Sequence, residues 1–303
     1  MIKNFKINKE LYNLRLDKWL KKKFSTLNQS FIQKNIRKKN ILVNGLKISA
    51  NYRLMINDEV KILNYNENHY KNNPILKKLK KIPNNMKQLF LDSIMYEDKN
   101  FIIIDKWPDI ASQGGTGINI SIDDIIKNIS VLYNLVHRLD KETTGLMIIA
   151  KNLDYTKIFG QMFRTQKIEK KYLALCQGVP QNKESIVNIY IENKKNNSKN
   201  ESITYYKVLK NNNNFSLILF TPKTGKTHQI RIVSNKLGCP IVGDKIHNKD
   251  KIFTKEHLKL NSHYLKFNIR NKEYKFLSKI PNHFKNFTKK IELKKINFNN
   301  IEL

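Results

Sequence analysis

The chain runs to 303 residues with 40% hydrophobic content, enough to bury a sizeable core and to divide into two domains. Its 57 lysines and arginines against 25 acidic residues leave a net charge of +32, which self-repels unless a polyanion is bound and makes such binding salt-sensitive. Cys176 and Cys239, without Cys-x-x-Cys spacing, argue against a disulfide framework or a zinc ribbon, and the lack of any apolar run approaching ~18 residues argues against a membrane span.

Residues 1–10 lack the apolar segment of a secretory leader, so the expected compartment is the cytoplasm. Seven of the 57 basic residues are arginine (15, 37, 53, 138, 164, 231 and 270), leaving 50 lysines. Asn and Ile are abundant too, as in a compositional drift, so part of the charge belongs to solvated faces. The remaining arginines are informative because lysine supplies no planar bidentate fork.

Residues 14–63 read as one compact unit. Arg15-Leu16-Asp17-Lys18 leads into a helix over 17–24, with Asp17 near its positive end. Ser30 is placed to cap a second helix over 30–38, with Phe31, Ile32 and Ile36 on one face. Residues 41–48 give a strand, an Asn44-Gly45 turn and a second strand, and Asn57-Asp58-Glu59 turns into a strand over 60–63. Lys21, Lys22, Lys23, Lys34, Arg37, Lys38 and Lys39 collect on the outer side of the helix pair; charge alone fits a solvated face and an RNA surface equally.

That order of elements resembles the S4 RNA-binding domain, a small α/β unit. The resemblance implies RNA binding, through Arg15, Lys34, Arg37, Lys38 and Lys39, and no catalysis. Residues 64–88, rich in Asn and Lys with Pro74 and Pro83, are expected to be a linker, with a second domain over 89–303.

In the second domain a strand over 101–105 precedes Lys106-Trp107-Pro108 and the loop Gln113 to Gly117. That loop lacks the Gly-Lys-Ser/Thr ending of a P-loop and the spacing of a dinucleotide fingerprint, so no nucleotide cofactor is expected. His137-Arg138-Leu139-Asp140 follows, then a Thr143-Thr144-Gly145 turn and a buried strand over 146–150. A carboxylate at the mouth of a strand is held on a rigid base; a turn aspartate bonded to its own backbone is the alternative. A helix over 154–166 and strands over 170–175, 186–191, 202–209 and 215–220 come next. Short strands without regular helical crossovers favour an α+β, largely antiparallel mixed sheet.

Thr224-Gly225-Lys226-Thr227-His228-Gln229-Ile230-Arg231 then opens a helix over 227–237, ended by Gly238 and Pro240, on which Thr227 and Arg231 share a face. Ile230 and Ile232 imply that Arg231 is partly buried and needs a carboxylate, with Asp140 the candidate. His228, Asp244 and His247 have no recognised metal-ligand spacing, so no metal is expected.

Together these segments resemble the RluA-type family of RNA pseudouridine synthases over about residues 90–285. His137 to Gly145 matches the family's His-Arg-Leu-Asp motif, with Thr144 where serine is commoner. Lys170 and Tyr172 match its Lys-x-Tyr motif. Residues 224–231 match its Thr-Gly-Arg-Thr-His-Gln-Ile-Arg motif with Lys226 replacing arginine, and a Gly-x-Pro-Ile-x-Gly-Asp run ends at Asp244. Lys106 and Pro108 stand at its lysine-proline element.

The resemblance implies a cofactor-free isomerase of RNA uridines, most similar to the members of the family that act on 23S rRNA. It makes Asp140 the catalytic carboxylate, Arg231 its bidentate partner and Tyr172 the ring beneath the base. It gives RNA contact to His137, Arg138, Lys226, Thr227, His228 and Gln229. A soluble monomer without a membrane partner is expected. A non-catalytic RNA-binding or ribosome-assembly protein, or a synthase acting on tRNA, would share these features.

Overall fold

A computed structural model describes residues 1–8, 12, 14–24, 26–71, 80–193, 198–248 and 253–293. It divides into two units, residues 1–79 and 80–303. In the first, β1 (Lys3–Lys6) precedes α1 (Leu16–Lys23), α2 (Gln29–Arg37), β2 (Ile41–Val43) and β3 (Glu59–Ile62). The three strands form an antiparallel sheet in the order β1-β3-β2. Trp19, Leu20, Ile32, Ile36 and Val60 pack into its core.

This unit departs from the sequence reading in four places. It begins at β1, whose Lys-Asn-Phe-Lys pattern reads as polar because the strand is a half-exposed edge. It runs past residue 63, since Tyr65 and Tyr70 pack into the same core; residues 72–79 of the expected linker, Pro74 among them, lie outside the described residues. Asn28, not Ser30, caps α2, its side chain accepting the Phe31 N–H at 2.7 Å. Beyond the Asn44-Gly45 turn, where both φ values are positive, pairing stops at one bridge between Val43 and Leu46.

The second unit holds α3 (Asn84–Asp92), β4 (Ile94–Glu97), β5 (Phe101–Lys106), α4 (Ile122–Ile129), β6 (Asn134–Leu135), β7 (Thr144–Ala150), α5 (Leu153–Arg164) and β8 (Glu169–Gln177). It continues with β9 (Glu184–Asn193), β10 (Ser198–Asn211), β11 (Phe215–Pro222), α6 (Gln229–Lys236), β12 (Leu260–Ile269), β13 (Lys272–Leu277) and α7 (Asn282–Lys290). The sheet runs β4-β5-β7-β12-β8-β11-β10-β9, with β13 beside β12 and β6 beside β7. Every pairing between these strands is antiparallel except β7 with β12, so the unit is α+β.

Both faces of the central strands are covered, which is why β7 reads as an unbroken apolar run. Leu146 and Ile148 face Phe159 of α5, while Met147 and Ile149 face Ile122, Ile125 and Ile126 of α4. In β8, Ala174 and Cys176 pack with Ile230 and Val233 of α6, and Leu173 and Leu175 with Phe284 and Phe287 of α7.

β12 joins the two sides of the sheet, and its approach to β7 is close. Gly145, at φ +104°, lies against Ser262, where any Cβ would overlap the Ser262 backbone. Polar side chains fasten the junction: Asn261 Nδ2 donates to Thr144 Oγ1 at 3.0 Å, and Ser262 Oγ to the Leu146 carbonyl at 3.2 Å. Ser278 Oγ donates to Asn261 Oδ1 at 2.5 Å. No helix among the described residues is long and apolar enough to cross a membrane.

Candidate active site

The segment from His137 to Thr143 is fixed by its backbone. Ser112 Oγ donates to the Leu139 carbonyl at 2.6 Å and accepts the Leu139 N–H at 3.0 Å. Lys106, 1% exposed, donates through Nζ to the carbonyls of Trp107, Ile110 and Lys141 at 3.1, 3.0 and 3.1 Å. The Thr143 N–H closes the turn onto the Asp140 carbonyl at 3.1 Å. Held at 139, 141 and 143, the chain leaves the Asp140 side chain, 29% exposed, facing a cleft.

That cleft, about 110 Å³ in volume, is lined by Arg138, Thr143, Tyr172, Lys226, His228 and Arg231 among others, with Leu260 on one wall. It opens into an outer hollow of about 510 Å³ that shares Arg138, Asp140, Tyr172 and Lys226. Among the described residues lining either part, Asp140 is the one carboxylate. Sequence positions scattered from 138 to 260 are thus brought to one place.

Arg231 does not form the expected bidentate pair with Asp140. Its Nε and Nη2 bind the two oxygens of Asp244 at 2.9 and 2.5 Å, with both side chains 1% exposed. The remaining Nη1 reaches Glu142 at 3.4 Å and Asp140 at 3.8 Å. A guanidinium this deep needs a fork-on-fork partner, and the equally buried Asp244 supplies one. Burial works against the charge on Arg231, but the bonds and charge of Asp244, with Asp140 and Glu142 beyond, raise its pKa. Burial likewise opposes the charge on Asp244, yet Arg231 and the His247 and Ile246 N–H groups hold its pKa below the usual range.

The other expected residues divide. α6 begins at Gln229, so Thr227 is exposed ahead of the helix and shares no face with Arg231. His228 caps that helix at φ 54°, a left-handed conformation, turning its Nε2 to 3.9 Å from Asp140 Oδ1. Its Nδ1 lies 2.9 Å from Nε2 of His247, a residue the sequence analysis weighed beside it only as a metal ligand.

Gln229 is buried and not available to RNA: its Oε1 accepts from Thr224 Oγ1 and the Lys226 N–H, and its Nε2 donates to Thr204 Oγ1 and the Ile203 carbonyl. His137 is taken up too, accepting the Ile148 N–H at 2.8 Å and stacking on Phe163. Burial, then the charge of Lys170, push the His137 pKa down to about 3, so the ring stays a neutral acceptor. Arg138 is exposed at the rim.

Tyr172 lines both parts of the cleft. Burial pushes its pKa up to about 12; a Ser262 hydrogen bond opposes the rise and the Asp140 charge adds to it. Its phenol therefore carries its proton at neutral pH. Burial brings Lys106 down to about 7, with Asp109 and Asp140 drawing it back up. The buried Thr143 hydroxyl in the cleft wall has no hydrogen-bond partner among the described residues.

His228, Asp244 and His247 do lie close together, but both Asp244 oxygens are spent on Arg231, and no group able to hold a metal occurs among the described residues. In the first unit Arg15 binds Asp17 at 3.1 and 2.9 Å, while Lys34, Arg37, Lys38 and Lys39 are exposed.

Three comparisons bear on this site. A family model described as RNA pseudouridylate synthase matches residues 100–236. The chain is 36% identical over 293 residues to the ribosomal large subunit pseudouridine synthase C of Rickettsia bellii, spanning 89% of this chain and 95% of that protein. The corresponding protein of Rickettsia prowazekii is 38% identical over 292 residues, with the same coverage. The solved structure of human RNA pseudouridylate synthase domain containing 4 shares the fold at a TM-score of 0.62 and 24% identity, over 70% of this chain and 98% of that one.

Proposed function

This chain belongs to the RNA pseudouridylate synthase family, and from that premise we propose that it isomerises specific uridines of large-subunit ribosomal RNA, with Asp140 as its one catalytic carboxylate. The relatives named for the large ribosomal subunit, matched over nearly their whole length, support that substrate. The observation that carries the role of Asp140 is its isolation: it is the one carboxylate lining the cleft among the described residues, with its backbone anchored on both sides.

The reaction breaks the N1–C1′ bond of a uridine, turns the uracil and rejoins it through C5, whose proton leaves while N1 takes one up. It is redox-neutral and consumes no activated phosphate. Asp140 acts at the sugar, as nucleophile or base, with Arg231 and His228 within 4 Å of its oxygens. Tyr172 lies under the base and presents an O–H, not a phenolate. Arg138 fills the space left by the extruded nucleotide, whose unstacking costs a few kcal/mol. The N-terminal unit acts as an S4-type RNA-binding domain through Lys34, Arg37, Lys38 and Lys39. Phosphate contacts supply affinity, and RNA shape supplies site choice. The protein works as a cytoplasmic monomer.

The test is to map pseudouridines in 23S rRNA from cells lacking the gene, then restore the wild-type or the Asp140→Asn protein. Wild type should restore particular sites and the variant none, with RNA binding retained. Product from the variant at the normal rate would refute the role of Asp140; an unchanged rRNA map, or missing sites in tRNA instead, would refute the substrate.

A further inference from the structure

The residues 80–303 contain four arginines, Arg138, Arg164, Arg231 and Arg270. In a chain with 50 lysines and seven arginines, each arginine is worth accounting for, because a lysine ammonium supplies no planar fork. Arg231 is accounted for by Asp244 and Arg138 by the rim of the cleft. Arg164 and Arg270 belong to neither motif, yet both line the same surface feature.

That feature is a trench. The outer hollow around Asp140 includes Arg164 and shares Gln166, Lys170 and Lys223 with a second hollow of about 530 Å³. The second shares Lys167 and Asn268 with a third, of about 330 Å³, that ends at Arg270. A continuous depression thus leaves the Asp140 cleft, crosses the ends of α5 and β8, and finishes at the tip of the β12–β13 hairpin. Beyond Asp140 itself, its one acidic side chain among the described lining residues, Glu169, is neutralised by Lys171 at 3.1 Å.

A second observation falls on the same residue. Ile269 pairs with Lys272, so Arg270 and Asn271 form a two-residue hairpin loop, with φ of 48° and 64°. Such loops favour Asn and Gly at both central positions, and a long side chain in the first is held there against its backbone preference. Neither Arg164 nor Arg270 has an ion-pair or hydrogen-bond partner among the described residues. Two exposed forks with free donors face one trench.

We propose that this trench is the track for the RNA strand on one side of the reacting nucleotide, with Arg164 and Arg270 gripping phosphates at its two ends. The inference rests on the reading of the Asp140 cleft as the uridine site and adds where the strand goes. A fork on phosphate is the contact that arginine makes and lysine does not. The strand leaves the cleft along Lys223 and Lys167, and its reach to Arg270 sets how much flanking RNA a substrate needs.

The experiment uses the full-length protein and 23S rRNA fragments carrying a modified uridine, with either the 5′ or the 3′ flank trimmed. With both flanks present, Arg164→Ala/Arg270→Ala should raise KM roughly tenfold and reduce the slope of log affinity against log salt by about 1.4, as expected for two lost single-strand phosphate contacts. Fragments trimmed on the flank that occupies the trench should show no such penalty, while fragments trimmed on the other should keep it. Arg164→Lys/Arg270→Lys should restore the salt slope but only part of KM. Lys285→Ala/Lys289→Ala on α7 removes the same charge elsewhere and serves as the comparison.

A penalty no larger than that of the α7 variant, or one equal for both flanks, overturns the track. So does a fall in kcat matching the loss of kcat/KM, since that places these side chains at the reacting base. Each of these results leaves the Asp140→Asn test standing, so the track and the catalytic reading fail separately.

Discussion

Asp244→Asn isolates the contact that holds Arg231. The substitution keeps one oxygen for the Ile246 and His247 N–H groups, which Oδ1 accepts at 2.9 and 3.0 Å, but removes the charge opposite a guanidinium that is 1% exposed. Breaking a buried pair by removing one partner costs ~3–5 kcal/mol. Glu142 and Asp140 remain at 3.4 and 3.8 Å from Nη1, which places the loss at the lower end, about 3 kcal/mol. For a unit of this size that is a fall in Tm of about 6–12 °C, read by thermal unfolding.

The double variant Arg231→Met/Asp244→Asn removes both charges and should regain most of that stability while remaining inactive in single-turnover pseudouridine formation. A Tm within about 2 °C of wild type for Asp244→Asn would refute the buried pair. So would a double variant whose loss equals the sum of the two single losses, because coupled residues do not add.

Acid should expose the same pair. The folded pKa of Asp244 is depressed, so its contribution is present above the unfolded value of about 3.9 and disappears as pH falls through the folded one; Asp244→Asn should flatten that limb of a pH–stability curve, and an unchanged limb counts against it. Lys106 has the opposite kind of shift, a base lowered to about 7. Between that value and its unfolded pKa of about 10.4 the unfolded chain binds more protons, so stability should rise by ~2–3 kcal/mol from pH 7 to 9 and no longer do so in Lys106→Met. Gly145→Ala meets the Ser262 backbone at a positive φ and should lower Tm by more than about 10 °C; a near-native Tm would mean that β7 and β12 are not in close approach. Lys34→Ala/Lys38→Ala should reduce the salt slope of RNA affinity by about 1.4, and an unaltered slope would remove α2 from RNA contact.

The central strands and the loop carrying Asp140 were legible because they rest on local signals. β5 and β7 are apolar runs with both faces covered, and the α+β class followed from short strands in series. α4 was missed because Ile118-Asn119-Ile120-Ser121-Ile122 alternates like a strand; the helix is decided at Ser121, whose reciprocal bonds with Asp124 form a capping box. β12 was missed because Asn261, Ser262 and His263 read as a loop, whereas all three are buried, two of them tied to β7.

At the site, the sequence identified Asp140, Tyr172 and Arg231 as members of one cleft but mispaired Arg231. Asp140, Glu142 and Asp244 were equally available carboxylates, and burial, which separates them, is a property of the assembled sheet. His137 and Gln229 sit in recognisable motifs yet serve the scaffold, since a motif records that a residue is needed without recording which neighbour needs it.

The insertion of β12 between β7 and β8 bears on how the enzyme is made. The turn carrying Asp140 and the strand carrying Tyr172 have no direct ladder between them; a segment synthesised some ninety residues later bridges them. While translation is under way, the two walls belong to separate, unsewn sheets, and long-range pairing of this kind is slow to close. A chain halted before Leu260 therefore carries Asp140 and Tyr172 on two sheets that nothing yet joins.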